Sequence, residues 1–112
     1  MSDTIFGRIA RGEMDADKVY EDDRAVAFRD VNPQAPTHLL VIPRKPIPRL
    51  SEAEDGDEEL LGHLMRVATR VAKEAGLSDW RVIVNDGPGA GQTVFHLHLH
   101  VVGGRPLRWP AG

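Results

Sequence analysis

Three histidines alternate with apolar residues near the end of this chain, in His96-Leu97-His98-Leu99-His100-Val101-Val102. On an extended strand successive side chains face opposite ways. His96, His98 and His100 would then share one face, and Leu97, Leu99 and Val101 the other, toward a core. A single strand histidine is ordinarily structural or exposed. Three on one face repel one another whenever they protonate, a cost that a purely structural role leaves unexplained. His38, in a second apolar segment, could join the same site.

Two chemistries fit such a cluster. Alternating histidines can hold zinc, but a strand rises ~3.3 Å per residue, which puts the Cα atoms of His96 and His100 ~13 Å apart. Three imidazoles would meet one ion nearly in line, a poor tetrahedron. Two with His38 would do better, although no acidic or cysteine ligand neighbours them in sequence. The alternative is nucleophilic attack on phosphorus, in which one neutral imidazole attacks and its neighbours orient it and stabilise charge. Histidine titrates near ~6.5, so neutral and protonated rings coexist at ordinary pH. Just upstream, Gly87, Gly89 and Gly91 permit close backbone approach, and N–H groups there could bind anionic oxygens. Thr93 adds a hydroxyl. By itself the glycine loop is a weak signal, lacking both the Lys-Ser/Thr of a P-loop and the helix of a dinucleotide fingerprint.

These residues need a frame to hold them. Val19-Tyr20 and Ala25-Val26-Ala27-Phe28 flank the acidic turn Glu21-Asp22-Asp23-Arg24 and read as a hairpin. Prolines at 33 and 36 force a loop, and His38 to Ile42 is a short strand stopped by Pro43, Pro46 and Pro48. Six carboxylates in Glu52–Glu59 read as the solvated, acidic start of a helix. From Asp57 to Ala75 the residues Leu60, Leu61, Leu64, Met65, Ala68, Val71, Ala72 and Ala75 recur at three- and four-residue spacing, the stripe of an amphipathic helix. Gly76 stands where a C′ glycine would end it, with Leu77 as the contact after the cap. Strands are expected over Trp80–Val84 and over Val94–Val102. About five short strands and one long helix make an α+β fold with an antiparallel sheet.

Composition narrows the function further. The chain has 112 residues, 41% hydrophobic and 28% charged, which suits one globular domain over 1–112 with a core that needs no staples. With no cysteine, thiolate metal sites, disulfides and cysteine nucleophiles drop out. Fourteen basic against seventeen acidic residues give a charge of −3, which offers no footprint for nucleic acid or an anionic membrane. No apolar h-region follows Met1-Ser2-Asp3-Thr4, and no apolar run approaches the ~20 residues of a membrane span, so a cytoplasmic location is expected.

The histidine run resembles the His-φ-His-φ-His-φ-φ signature of the histidine triad superfamily. The likeness continues through Ile5-Phe6-Gly7-Arg8-Ile9, Glu21-Asp22-Asp23-Arg24, Phe28-Arg29-Asp30-Val31, Pro33-Gln34-Ala35-Pro36-Thr37-His38, Leu61-Gly62-His63-Leu64, Gly103-Gly104-Arg105-Pro106-Leu107 and Trp109-Pro110, as in the histidine triad nucleotide-binding (Hint) branch. That resemblance implies a homodimeric purine nucleoside phosphoramidate hydrolase of the adenosine monophosphoramidate type, with a short N-terminal helix, no cofactor and no metal. By position it makes His98 the nucleophile and His96, His100 and His38 its supporting shell. It has Asp30 bind the ribose hydroxyls, Ile5, Phe6, Phe28 and Val31 sandwich the base, and Asn85, Gly91, Gln92 and Thr93 contact phosphate or sugar. Thr93 stands where the family usually has serine, and Arg108 and Ala111 depart from its commonest C-terminal pattern. His63 is given no chemistry. Trp109-Pro110-Ala111-Gly112 is expected to be ordered, packing against a partner subunit near the active site. A nucleotide-sensing scaffold with vestigial activity, a histidine-based metal-binding protein and a dinucleoside polyphosphate hydrolase are the rival functions.

Overall fold

In the computed structural model, which describes residues 3–112, five strands form one antiparallel sheet. Met1 and Ser2, the start of the segment read above for an export leader, lie outside the described residues. In chain order the elements are α1 (Ile5–Ala10), β1 (Lys18–Glu21), β2 (Ala25–Arg29), β3 (Thr37–Pro43), α2 (Glu58–Glu74), β4 (Trp80–Ile83) and β5 (Leu99–Gly103). Across the sheet the order is β1-β2-β3-β5-β4. Among the described residues, no helix is long and apolar enough to cross a membrane.

The hairpin forms because Asp22 organises its turn. Its carboxylate accepts from the backbone N–H groups of Arg24 (2.7 Å) and Ala25 (2.8 Å), the local bonding that suits Asp to turns. The same carboxylate accepts from the Tyr20 hydroxyl at 2.7 Å and meets His63 of α2 at 2.6 Å. His63 thus ties the helix to the hairpin, consistent with a structural role.

Helix α2 ends as its sequence dictates. Gly76 adopts φ +83°, its N–H donates to the Lys73 carbonyl (2.9 Å), and the Leu77 N–H reaches back to Ala72 (3.1 Å). That is the Schellman pattern, which needs left-handed backbone at C′. The buried stripe is Leu64, Val67, Ala68, Val71 and Ala72. Leu60 and Leu61 are half-buried against the same core, two expected members are exposed (Met65 at 48%, and Ala75), and Val67, not anticipated, is buried. Three- and four-residue spacing admits neighbouring stripes, and contact with the sheet selects one of them.

The sheet has two covered faces. On one, α2 packs with Ala25, Ala27, Leu39, Val41, Leu99 and Val101. On the other, Ile9 and Ala10 of α1 pack with Val26, Phe28, Leu40 and Ile42. A six-residue helix covers only part of that second face. The remainder is open.

The last strand is shorter than its alternating pattern predicts. It begins at Leu99 rather than Val94, so His96 and His98 lie in a bent segment before it. The reason lies in the partner strand. Val41 pairs with Leu99, so Leu97 would next face Pro43, which has no N–H to donate and closes β3. The Leu97 N–H donates instead to the Ile47 carbonyl at 2.7 Å. Alternation of faces survives, since Leu97 still joins Leu99 and Val101 in the α2 core.

Candidate active site

On the open face lies a cavity of about 500 Å³. Its catalytic-looking end is lined by His38, His98, His100 and Thr93, with Asp30 beside them. Its apolar end is lined by Ile5, Phe6, Phe28 and Val31. Phe6 links the two, with its ring edge-on to His98 (centroids 4.9 Å apart) and to Phe28 (5.5 Å).

Hydrogen bonds assign the protons on the rings, by the chemistry of each partner. His98 Nδ1 lies 2.8 Å from the His96 carbonyl, an acceptor, so Nδ1 carries the hydrogen and Nε2 keeps its lone pair. Likewise His96 Nε2 donates to the Pro43 carbonyl at 2.8 Å. The Gln34 backbone N–H donates to His38 Nδ1 at 3.0 Å, which puts the His38 proton on Nε2. That Nε2–H faces His100 Nδ1 at 2.9 Å, with Asp30 Oδ2 at 3.4 Å, so His100 Nδ1 accepts and its Nε2 bears the hydrogen. A relay therefore runs from Gln34 through His38 to a donor on His100.

Burial lowers the pKa values of His96, His98 and His100. For His100, burial and then the neighbouring His98 and His38 bring it down to about 4. At neutral pH the triad is uncharged, as a nucleophile requires.

Among the described residues, Asp30, His38 and His100 have ligand atoms all within 4.8 Å of one another, a spacing that a metal ion could use. The sequence hid this carboxylate, which lies eight residues before His38. The tautomers oppose a metal here, because the atom of His38 facing the group is the one holding its proton, fixed there by the Gln34 amide.

Other expected contacts are not gathered in the cavity. Gln92 is 3% exposed and fully engaged: its amide oxygen accepts from the Gly87 N–H (2.8 Å), and its amide nitrogen donates to the Pro48 (2.9 Å) and Val94 (3.0 Å) carbonyls. It braces the glycine loop and is not free to hold a phosphate. Several of the loop's backbone donors are also spent internally. The N–H groups of Ala90 and Gln92 bond to the Gly87 carbonyl and that of Gly91 to Pro88. Asn85 lies beside Gly91, whose Cβ would come 3.7 Å from the Asn85 amide, and neither lines the cavity. His96 stands behind the cavity wall, close to Gly7 of α1. Thr93 is the one loop residue of the expected set that reaches it. Sequence reasoning missed Gln34 and Pro43, whose contributions are a backbone N–H and a backbone carbonyl and carry no residue-type signal. Tail residue Trp109, expected to pack against a partner subunit, is 83% exposed in the single chain, and the tail is held by Arg81 donating to the Arg108 carbonyl at 2.8 Å.

Comparison with known proteins identifies the family and the fold. Residues 11–107 match the family model described as HIT domain. An uncharacterized HIT-like protein of Synechocystis is 57% identical over 98% of this chain and 97% of its own length. Another from Synechococcus elongatus is 55% identical over the same shares. Among solved structures, a HIT family hydrolase from Legionella pneumophila superimposes with a TM-score of 0.95 at 46% identity, covering 98% of this chain and 100% of that one. With the family matched across residues 11–107 and near-full-length relatives this similar, the chain belongs to the HIT domain family.

Proposed function

We propose that this protein hydrolyses the P–N bond of purine nucleoside 5′-phosphoramidates through a nucleotidyl-histidine intermediate on His98. One observation carries the reading: the His96 carbonyl holds the His98 proton on Nδ1, leaving a neutral Nε2 lone pair as nucleophile. Attack by Nε2 forms a P–N bond to His98 as the bond to the leaving amine breaks, and the amine departs with a proton. The Nε2–H of His100, held by His38, is placed to donate to a phosphoryl oxygen or to that amine. Water then attacks phosphorus, the P–Nε2 bond breaks, and nucleoside monophosphate leaves. Asp30 in the cavity wall is suited to accept from ribose hydroxyls, and the Ile5, Phe6, Phe28 and Val31 end to cover the base. Thr93 supplies a hydroxyl at the phosphate end. The Legionella relative, named a hydrolase, supports the reaction class.

Trapping tests this directly. Substrate mixed with enzyme and quenched early should give, by mass spectrometry, a nucleotidylated peptide containing residues 96 to 100. Turnover with the adduct on another residue, or no turnover at all, would sink the reading.

A further inference from the structure

The sheet register sets the length of the cavity. His100 pairs with Leu40, Leu40 with Phe28, and Phe28 with Lys18, so one row crosses four strands. Three strand spacings of about 4.8 Å place β1 about 14 Å from the histidine on β5. That distance is comparable to an extended nucleoside 5′-phosphate, from phosphorus to the far edge of the base. At the β1 end the wall is made by the segment just before β1, Met14, Asp15, Ala16 and Asp17. Met14 and Ala16 pack onto the cluster that includes Phe28, which fixes the segment beside the apolar end.

Two acidic residues, Asp15 and Asp17, therefore line the wall where the rim of a base would come. They are not equivalent. Asp17 is engaged by Arg29 at 3.3 Å, and among the described residues no cation pairs with Asp15. An ionised carboxylate only accepts hydrogen bonds. A base that presents adjacent N–H donors on one edge complements it, and a base that presents a ring-nitrogen lone pair there opposes it. Guanine offers N1–H and N2–H side by side; adenine offers one N6–H beside the N1 lone pair.

We propose that Asp15 is a specificity-determining residue that selects a 6-oxo-2-aminopurine, guanine, over adenine by accepting from N1–H and N2–H. The assignment rests on the hydrolase reading for the orientation, phosphate at the histidines and base toward β1. Charge assistance strengthens such a pair, and exposure at the rim limits it, so a preference of about tenfold is expected.

The test compares kcat/KM for guanosine and adenosine 5′-phosphoramidates, with the inosine compound as the arm that lacks N2, in the wild type and Asp15→Asn. Binding of GMP and AMP is measured by calorimetry alongside. The wild type should favour guanosine about tenfold, with inosine between, and Asp15→Asn should bring the guanosine-to-adenosine ratio close to one in both assays. Equal handling of the two bases by the wild type, or a ratio that Asp15→Asn leaves unchanged, overturns the assignment and leaves the hydrolase reading standing. Absence of turnover with an Asp15-dependent preference for GMP sinks the hydrolase reading and keeps the assignment.

Discussion

The side chains of the triad are alike, and their hydrogen-bond partners make them different. His98 is oriented by the carbonyl of His96, two residues before it, His96 by the carbonyl of Pro43, and His100 by a histidine that is itself oriented by a backbone N–H. If His98 is the nucleophile, His98→Asn keeps bulk and loses the attacking lone pair. Turnover should fall by several orders of magnitude, each ~1.4 kcal/mol being tenfold, while monophosphate binding persists. His96→Asn and His100→Asn should be milder in single-turnover kinetics, and the reverse order would reassign the roles. Acid stability follows from the same burial. The unfolded chain takes up protons on these histidines near ~6.5, whereas folded His100 resists until about 4. Between those values the unfolded state holds more protons, so stability rises with pH. The contribution is complete above ~6.5 and is lost as pH falls toward about 4. The melting temperature should drop across that window, and less so in His100→Asn. Asp22 and Asp86, whose carboxyls hydrogen bonds hold below their usual range, would weaken the fold only at more acid pH.

Elements whose ends are written in their own residues were legible from sequence. The Asp22 turn, the apolar spacing of α2 and the Gly76 cap each act within a few residues of themselves. Replacing Gly76 tests this. Its Cβ would meet nothing within 4 Å, so Gly76→Ala isolates the cost of φ +83°. About 1 kcal/mol and roughly 4 °C in melting temperature should be lost. Gly103→Ala should lose more, because its Cβ would sit 2.9 Å from the Asp79 backbone oxygen. What sequence hid was set by distant partners. β5 begins only at Leu99 because the neighbouring strand closes at Pro43, and no pattern within 94–102 contains that information. The family resemblance assigned Gln92 to phosphate or sugar, yet its amide serves the Pro48 loop, 44 residues away in the chain.

At the scale of the molecule, several apolar surfaces lack a partner within one chain. Met65 on α2 is 48% exposed, Trp109 is 83% exposed, and among the described residues β4 pairs with β5 alone, at the edge of the sheet. We expect a homodimer in which α2 and an edge strand meet their symmetry mates, as the family resemblance implies. Light scattering at micromolar protein should give the mass of two 12.4 kDa chains, and a monomer mass would refute it. The two-faced sheet has a bearing on how such a protein can change over generations. From Leu97 to Val101, odd positions fill the core beneath α2 and even positions furnish the site. Substitutions at 97, 99 and 101 can therefore alter thermal tolerance while leaving the reacting groups in place, and changes around the cavity can alter substrate choice with the core intact. Selection can act on durability and on chemistry almost independently, so long as no residue is gained or lost here. One insertion between 97 and 101 would exchange the two sets, and both traits would fail together.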